Sequence, residues 1–215
     1  MAKIYNESSA NRVAASLLEV EAVKLRPETP FTWASGWKSP IYCDNRVTLS
    51  SPSVRKYIAE QLAAAVKENF PEVETVAGVA TAGIPQGALI SDILGLPFCY
   101  VRPKPKDHGM SNQIEGRLLP GQKVVVVEDL ISTGGSSLKA VEALKKAGAQ
   151  VVGMVAIFTY GFPVADENFE NAGVQLVCLS DYNALIPKAI EMGYVKAEEL
   201  ESLKEWREAP EKWKV

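Results

Sequence analysis

One stretch, residues 123–149, limits more than any other what this chain can fold into. Four consecutive valines at 124–127 precede the acids Glu128 and Asp129, and a Ser-Thr-Gly-Gly-Ser run follows at 132–136 before an amphipathic segment. This order predicts a buried strand, an acidic and glycine-rich loop, and a helix. The first N–H groups of a helix are unpaired and the helix dipole adds positive potential, so small residues at such a start favour phosphate binding.

The loop itself leaves two interpretations open. It is neither a Walker loop nor a dinucleotide-binding fingerprint, because the Gly-Lys-Ser/Thr and Gly-x-Gly-x-x-Gly spacings are absent. It could be a phosphate cradle beside which the two acids hold ribose hydroxyls or a divalent metal. It could instead be an ordinary strand–helix turn that Ser132 or Ser136 caps, with Glu128 and Asp129 in solvent.

Strands and helices alternate from residue 76 onward, which predicts an α/β fold with a mainly parallel sheet flanked by helices. The predicted strands are 76–80, 98–102, 123–128, 151–158 and 174–179, and the predicted helices are 84–94, 135–147 and 182–192. Ligands bind such sheets at the carboxyl ends of strands, where the loops 81–84, 103–119 and 129–136 lie. The segment 103–120 has no apolar period and is too long for an ordinary connection, which favours a functional lid or binding loop.

The N-terminal part and the tail have other patterns. The apolar spacing predicts a helix over 8–24 that Pro27 ends, and the alternation over 31–44 predicts a hairpin around a Ser-Gly turn. A Ser-Pro start predicts a helix over 52–69. The tail 197–206 is amphipathic, which predicts that it packs on the core or on a partner subunit.

Composition limits the class of protein. A chain of 215 residues, 47% of them apolar, predicts one substantial core, hence one domain with an appendage. The net charge of −3 gives no basic field, so nucleic acid is not an expected partner. No membrane partner is expected either, because no run approaches the roughly 20 apolar residues of a membrane span. The three cysteines are widely spaced, which fits neither a disulfide framework nor a zinc site and predicts a reducing cytoplasm.

Three segments together resemble one enzyme family. Residues 124–136 look like the 5-phosphoribosyl-1-diphosphate (PRPP) signature of type I phosphoribosyltransferases. Phe-Thr-Trp-Ala-Ser-Gly with Lys-Ser-Pro at 31–40 resembles the N-terminal segment of orotate phosphoribosyltransferases, and Arg-Pro-Lys-Pro-Lys-Asp-His-Gly at 102–109 is similar to their mobile catalytic loop. The resemblance implies a type I phosphoribosyltransferase fold in a single domain. Residues 1–50 would contribute a hood over the active site, and about 70–180 the PRPP-binding core.

The activity implied by the resemblance is transfer of ribose 5-phosphate from PRPP to orotate, with release of pyrophosphate, in pyrimidine (UMP) biosynthesis. In such a reaction C1 gains oxocarbenium character while negative charge grows on pyrophosphate, so positioning and electrostatic stabilisation should dominate catalysis. The resemblance also implies Mg²⁺, held mainly by PRPP with Asp129 as a candidate ligand. It further implies a cytoplasmic homodimer in which the loop 102–117 serves the neighbouring active site.

The family's roles transfer to this chain residue by residue. Asp129 would stabilise positive charge at C1, and Arg102, Lys106 and His108 would bring positive charge to pyrophosphate. These four residues are the implied catalytic set. The implied PRPP-binding set comprises Thr81, Ala82, Gly83, Arg102, Lys106, His108, Glu128, Asp129, Leu130, Ile131, Ser132, Thr133, Gly134, Gly135 and Ser136.

Orotate binding is implied for Lys38 and Ser132. The chain departs here from the commonly seen family pattern, because many members carry an arginine that reaches orotate where this chain has Tyr160 followed by glycine. Many members also carry lysine at three places where this chain does not. Those places are occupied by Ala34, Ala82 and Pro103. Lys104 could replace one of the lost lysines.

Less specific interpretations remain open for several residues. A lone loop histidine such as His108 is by default solvated. Trp33 and Trp37 could be packing residues rather than stacking platforms, and Cys43 could be a small buried apolar residue. A purine-base phosphoribosyltransferase is a second candidate activity, against which the 31–40 segment argues. A regulatory nucleic-acid-binding protein with the same fold is a third, against which the net charge argues.

Overall fold

The computed structural model describes residues 2–33, 36–104 and 113–213. Within these residues the strands are β1 (Lys3–Ile4), β2 (Val23–Leu25), β3 (Phe31–Thr32), β4 (Lys38–Ser39), β5 (Ile41–Cys43), β6 (Thr75–Val79), β7 (Phe98–Val101), β8 (Ile114–Glu115), β9 (Lys123–Ile131), β10 (Gln150–Thr159) and β11 (Leu176–Asp181). The helices are α1 (Glu7–Glu19), α2 (Pro52–Asn69), α3 (Gly83–Leu94), α4 (Gly135–Lys146), α5 (Pro163–Asn171), α6 (Tyr182–Glu191) and α7 (Leu200–Glu208), with 3₁₀ segments at Asn45–Ser50 and Ala197–Glu199.

One large sheet organises the described part of the chain. Its strand order is β1-β11-β10-β9-β6-β7-β8, and each neighbouring pair is parallel except β7–β8, which is antiparallel at the edge. The predicted α/β fold with a mainly parallel sheet is therefore confirmed. Two small antiparallel pairs, β2–β5 and β3–β4, lie apart from this sheet. The β3–β4 pair confirms the predicted hairpin only over residues 31–39, because β5, which the prediction places in the same hairpin, pairs with β2.

The valine run explains why β9 lies inside the sheet. Val124, Val125, Val126 and Val127 have no exposed surface, and each such burial contributes about 1.5–3 kcal/mol. Because side chains alternate along a strand, Val125 and Val127 pack in one cluster with residues of α1, α2 and α6. Val124 and Val126 pack in a second cluster with residues of α4 and α5. The strand is thus covered by helices on both faces.

The first helix is shorter than the predicted span 8–24. α1 ends at Glu19, and Glu21 takes the left-handed backbone conformation with φ of 56°. Val23 then begins β2 and pairs with β5. Apolar spacing could not show whether the helix continues to residue 24 or a strand begins at Val23, because Val23 is buried in either case. Pro27 therefore does not end the helix, and that prediction was wrong.

Other differences concern short or polar elements. Residues 103–120 are not wholly irregular, because β8 lies within them and pairs with β7. β1 and α5 occupy stretches for which no element is predicted. β9 runs three residues past the predicted strand 123–128, so Glu128 and Asp129 lie in the strand and not in a loop. Their backbone is consequently fixed by the sheet.

The amphipathic tail packs on the core, as the sequence predicts. Leu203 and Trp206 of α7 have no exposed surface. The indole N–H of Trp206 donates to the carbonyl oxygen of Lys38 at 3.1 Å. Because Lys38 belongs to the hairpin, this bond ties the C-terminal helix to the N-terminal segment. The tail therefore supports the region expected to form the hood.

Candidate active site

The carboxyl ends of β6, β7 and β9 lie side by side, because these three strands are parallel neighbours. The loops that follow them contain 81–83, 102–104 and 132–136. The structure thus brings together three segments that the sequence marks as candidate sites. Lys106 and His108 lie outside the described residues.

Glu128 and Asp129 form an acidic pair at the end of β9. The Glu128 carboxylate accepts from the Ser137 hydroxyl at 2.9 Å and from the Asp129 backbone N–H at 3.0 Å. The side-chain amide of Asn45 donates to the Asp129 carbonyl oxygen at 2.7 Å. Glu128 is only 6% exposed, so the interpretation in which both acids are solvated is wrong for it. These hydrogen bonds fix the acidic pair at the end of β9.

Burial raises the pKa of both carboxyls. The pKa of Glu128 rises to about 8, first because burial disfavours its charged form and then because Asp129 is negative. Burial also raises the pKa of Asp129, but a hydrogen bond with Glu128 and the positive charge of Arg46 act in the opposite direction. Asp129 therefore ionises first. Glu128, with a pKa of about 8, keeps its proton at neutral pH.

The loop 132–136 has the form of a phosphate cradle. Gly134 has a left-handed backbone with φ of 79°, and a Cβ there would lie 2.7 Å from the Phe169 ring. The Asn168 amide braces the loop from α5 by donating to the Thr133 carbonyl oxygen at 2.9 Å. No side chain caps α4, so the interpretation that Ser132 or Ser136 caps it is wrong. The first N–H groups of α4 remain available to an anion.

The loop 81–83 brings the start of α3 against β9. A Cβ on Gly83 would lie 2.3 Å from the Val127 carbonyl oxygen, so only glycine fits this approach. The peptide bond between Ala80 and Thr81 is cis. No side chain caps α3 at Ala82, which leaves the helix start open to an anion. This is the geometry expected of a backbone that faces pyrophosphate.

Arg102 lies in a cavity of about 240 Å³ between the ends of β6 and β7 and the start of α4. Its guanidinium is 3.8 Å from the Glu115 carboxylate, and the Gln113 amide donates to its carbonyl oxygen at 3.0 Å. Ser136 and Lys139 form the α4 side of the same cavity. Two cations thus face one cavity beside the cradle. The sequence does not single out Lys139, whose only signal is its position one turn into the helix.

A second cavity, of about 320 Å³, adjoins the end of β9 and is called here the base pocket. Its lining residues are Thr32, Trp33, Tyr42, Cys43, Leu130, Ser132 and Tyr160. The ammonium of Lys38 donates to the Thr32 hydroxyl at 2.9 Å, which places Lys38 at the rim of the pocket. Trp33 both packs against the Trp206 ring, at 5.6 Å between centroids, and lines the pocket. The hairpin therefore forms one wall of a site for a planar ligand.

Cys43 is a half-buried residue of this pocket. Its thiol donates to the side-chain oxygen of Asn45 at 3.3 Å. Burial and the negative charge of Asp129 raise the pKa of the Cys43 thiol well above its ordinary value, so the thiol stays protonated and unreactive. Asn45 thus joins the base pocket to the acidic pair. Sequence reasoning missed it, because neither its type nor its spacing marks it.

The chain is similar in sequence to known phosphoribosyltransferases. The family model described as the phosphoribosyl transferase domain matches residues 51–172. An orotate phosphoribosyltransferase of Cytophaga hutchinsonii is 61% identical over 202 residues, which cover 94% of this chain and 97% of the relative. One of Listeria monocytogenes is 59% identical over 206 residues, covering 96% and 99% respectively.

Solved structures agree with this similarity. The orotate phosphoribosyltransferase of Aeropyrum pernix is 32% identical with a TM-score of 0.73, covering 85% of this chain and 99% of that one. The Mycobacterium tuberculosis H37Rv orotate phosphoribosyltransferase in complex with PRPP is 26% identical with a TM-score of 0.64, covering 81% and 98%. The similarity thus extends to the fold and over most of each chain.

Proposed function

Because the chain belongs to the orotate phosphoribosyltransferase family, we propose that it transfers ribose 5-phosphate from PRPP to orotate, giving orotidine 5′-monophosphate and pyrophosphate. It is a transferase of pyrimidine biosynthesis. One observation carries the assignment of the site: Ser132 lines the base pocket and also begins the 132–136 cradle. A ribose 5-phosphate whose phosphate binds the cradle can therefore present C1 to a base in that pocket, beside Asp129.

The cradle binds the 5-phosphate. Backbone N–H groups at the start of α4 and the hydroxyls of Ser132, Thr133 and Ser136 supply donors, and the helix dipole favours the negative charge. Glu128 and Asp129 face the ribose hydroxyls. Because Glu128 keeps its proton at neutral pH, it can donate a hydrogen bond as well as accept one. The pair can thus hold two adjacent hydroxyl groups in one orientation.

The reaction breaks the bond between C1 and a pyrophosphate oxygen, and the electron pair stays on pyrophosphate. A ring nitrogen of orotate gives up its proton to solvent and forms the new bond to C1 from the opposite face, which inverts the configuration. Between these events C1 is electron-poor. The ionised Asp129 carboxylate lies in a largely buried position where its charge is weakly screened, so it stabilises the cationic C1.

Positive groups stabilise the leaving pyrophosphate. Arg102 and Lys139 provide charge from the cavity beside the cradle, and 81–83 offers the uncapped start of α3. Lys106 and His108 are proposed to add charge, because their segment resembles the family's mobile catalytic loop. With Pro103 where many relatives carry lysine, Lys139 is a second replacement candidate beside Lys104.

Mg²⁺ fits the donors of this site only together with substrate. Among residues 2–33, 36–104 and 113–213, no group of three or more metal-ligating side chains is present. Mg²⁺ commonly takes one or two protein carboxylates and completes its shell with substrate phosphates and water. We therefore propose that PRPP supplies most ligands and that Asp129 supplies one. When bound, the ion neutralises charge that develops on pyrophosphate.

The base pocket selects orotate. Trp33 offers an aromatic wall to a planar ring, Lys38 offers positive charge at the rim, and Ser132 offers a hydroxyl beside C1. Orotate carries a carboxylate, which a rim lysine attracts and which purine bases lack. This is the physical reason to prefer orotate over adenine or hypoxanthine.

The assembly is proposed as a homodimer in which the loop 102–117 reaches the neighbouring active site. Support comes from the resemblance of this loop to the family's mobile loop. The chain is proposed to act as one domain, with 1–50 as hood and about 70–180 as the PRPP-binding core. Among the described residues, no helix is long and apolar enough to cross a membrane, and the three cysteines are free. The cysteines support our proposal of a cytoplasmic location.

A base-specificity assay tests the proposed function. The purified protein is mixed with PRPP, Mg²⁺ and one of four bases: orotate, uracil, adenine or hypoxanthine. We expect pyrophosphate release and nucleotide formation with orotate, at least about 100-fold faster than with the other bases. Absence of orotate-dependent pyrophosphate release at every Mg²⁺ concentration would refute the proposal. Faster release with a purine would replace orotate by that base.

A further inference from the structure

Tyr160 stands directly after β10, which ends at Thr159. It is 3% exposed and lines the base pocket. Its backbone N–H donates to the Ile131 carbonyl oxygen at 3.1 Å, which fixes it against the end of β9. Tyr160 is thus a buried residue at the boundary of the pocket and the catalytic strand.

Aromatic neighbours hold the Tyr160 ring in one place. Ring centroids lie at 5.3 Å from Trp33, 5.5 Å from Phe162 and 5.7 Å from Trp206. A ring enclosed on several sides cannot change rotamer freely. The direction of its hydroxyl is therefore set before any ligand arrives.

The Tyr160 hydroxyl has no hydrogen-bond partner among the described residues. The neighbouring Tyr182 contrasts with it, because its hydroxyl donates to the Leu203 carbonyl oxygen at 3.1 Å. The hydroxyl oxygen is accessible from the base pocket, where it is free to donate to a ligand atom. Burial, followed by the negative charge of Asp129, raises the pKa of Tyr160 well above its ordinary value, so the hydroxyl keeps its proton and is a donor.

Two other polar side chains of the pocket have hydrogen-bond partners. The Cys43 thiol donates to Asn45, and the Thr32 hydroxyl accepts from Lys38. We propose that the Tyr160 hydroxyl donates a hydrogen bond to an oxygen of the planar, anionic base, and is therefore a specificity-determining residue of this enzyme. This inference rests on the proposed function, since it places orotate in the base pocket.

The variant Tyr160→Phe tests the proposal, because it removes the hydroxyl and leaves the ring cluster. We expect KM for orotate to rise about tenfold, with little change in KM for PRPP. Tyr182→Phe is the matched control: it removes a buried hydroxyl from the same ring cluster but not from the base pocket. It should lower thermal stability and leave KM for orotate unchanged. An unchanged KM for orotate in Tyr160→Phe would overturn the inference and leave the proposed function standing.

Substrate analogues provide a second test that does not depend on the stability of the variant. Three analogues each weaken one acceptor of orotate: the 2-thio and 4-thio compounds replace a ring carbonyl oxygen by sulfur, and uracil lacks the carboxylate. One analogue lacks the oxygen that Tyr160 contacts. In the wild-type protein, kcat/KM for that analogue should be about tenfold lower than kcat/KM for orotate. In Tyr160→Phe, the difference between the two substrates should be smaller. If none of the three losses depends on the hydroxyl, the inference is wrong. If the wild-type protein does not use orotate at all, the proposed function fails instead.

Discussion

The phosphate cradle and the base pocket share Ser132 but are built in opposite ways. The cradle is a single contiguous segment, 132–136, whose donors are largely backbone N–H groups and whose shape depends on Gly134. The base pocket takes residues from the hairpin, from β5, from the end of β9 and from the chain after β10. Its walls are mainly side chains, held by ring contacts.

Because of this difference, substitutions in the cradle and substitutions in the base pocket should affect different substrates. A backbone cradle recognises phosphate through helix geometry, so changes in its shape should affect PRPP. A pocket of side chains recognises a base through its shape and polar groups, so changes there should affect orotate. Asp129 lies where the two regions meet, and its loss should affect the chemical step more than either binding step.

The largest effect is expected from Asp129→Asn, which removes the charge but keeps the size of the side chain. We expect kcat to fall about 10²–10³-fold, because the cationic C1 loses its carboxylate. KM for PRPP should change only about threefold or less. Single-turnover rates measure this, with the exposed Asp92→Asn as a control for the loss of one carboxylate. A large rise in KM for PRPP with unchanged kcat would make Asp129 a binding residue only.

The next effect is expected from Trp33→Leu in the base pocket. Removing the indole takes away an aromatic wall and the contact with Tyr160, so KM for orotate should rise about 10–30-fold. KM for PRPP should stay nearly constant, as steady-state kinetics with both substrates varied can show. Trp37→Leu is the matched control, because Trp37 belongs to the same hairpin segment but does not line the pocket. If both variants shift both constants alike, the division between the regions does not hold.

Gly134→Ala changes the cradle and leaves the residues of the base pocket unchanged. A methyl group would require a left-handed alanine and would lie 2.7 Å from the Phe169 ring. We expect KM for PRPP to rise about tenfold and the free energy of unfolding to fall by about 1–3 kcal/mol. Gly135→Ala serves as the stability control, because its nearest neighbour would lie 3.8 Å away. Denaturant unfolding compares the two, and equal losses would show that Gly134 has no special role.

The smallest effect is a pH dependence in the substrate-free protein. The pKa of Glu128 is about 8 in the folded state against an ordinary value of 4.5. Between these values the folded state keeps a proton that the unfolded state has released, so stability due to Glu128 falls as pH rises through this window. The glutamine in Glu128→Gln cannot titrate. The free energy of unfolding of this variant, relative to that of wild type, should therefore rise from pH 5 to pH 8. Parallel pH profiles of the two proteins would contradict the buried, protonated state of Glu128.

The sequence predicted the strand, loop and helix of residues 123–149 well because their determinants are adjacent along the chain. The valines that bury β9, the acids at its end and the small residues before α4 are all within one segment, so periodicity and helix-start rules suffice. The same rules set the end of β9 too early, because they end the strand at Glu128 and place Asp129 in the loop. Inside the sheet, Ser137 and the Asp129 backbone N–H satisfy the Glu128 carboxylate, and the strand continues.

The base pocket was predictable only in part because its contacts span the chain. Asn45 reaches the backbone of Asp129 across 84 positions, and Trp206 reaches Lys38 across 168. No local pattern encodes such pairs. β8 escaped prediction because its two residues are too short to show a period. The roles given to Lys106 and His108 stay predictions that rest on the resemblance of their segment.

A crystal structure with PRPP, Mg²⁺ and an unreactive orotate analogue would show directly whether the cradle binds the 5-phosphate and the base pocket binds the base. We expect the 5-phosphate on 132–136, the analogue against Trp33 within hydrogen-bond reach of Tyr160, and C1 beside Asp129. A phosphate bound elsewhere, or an analogue outside the base pocket while PRPP occupies the cradle, would contradict the assignment of the two regions.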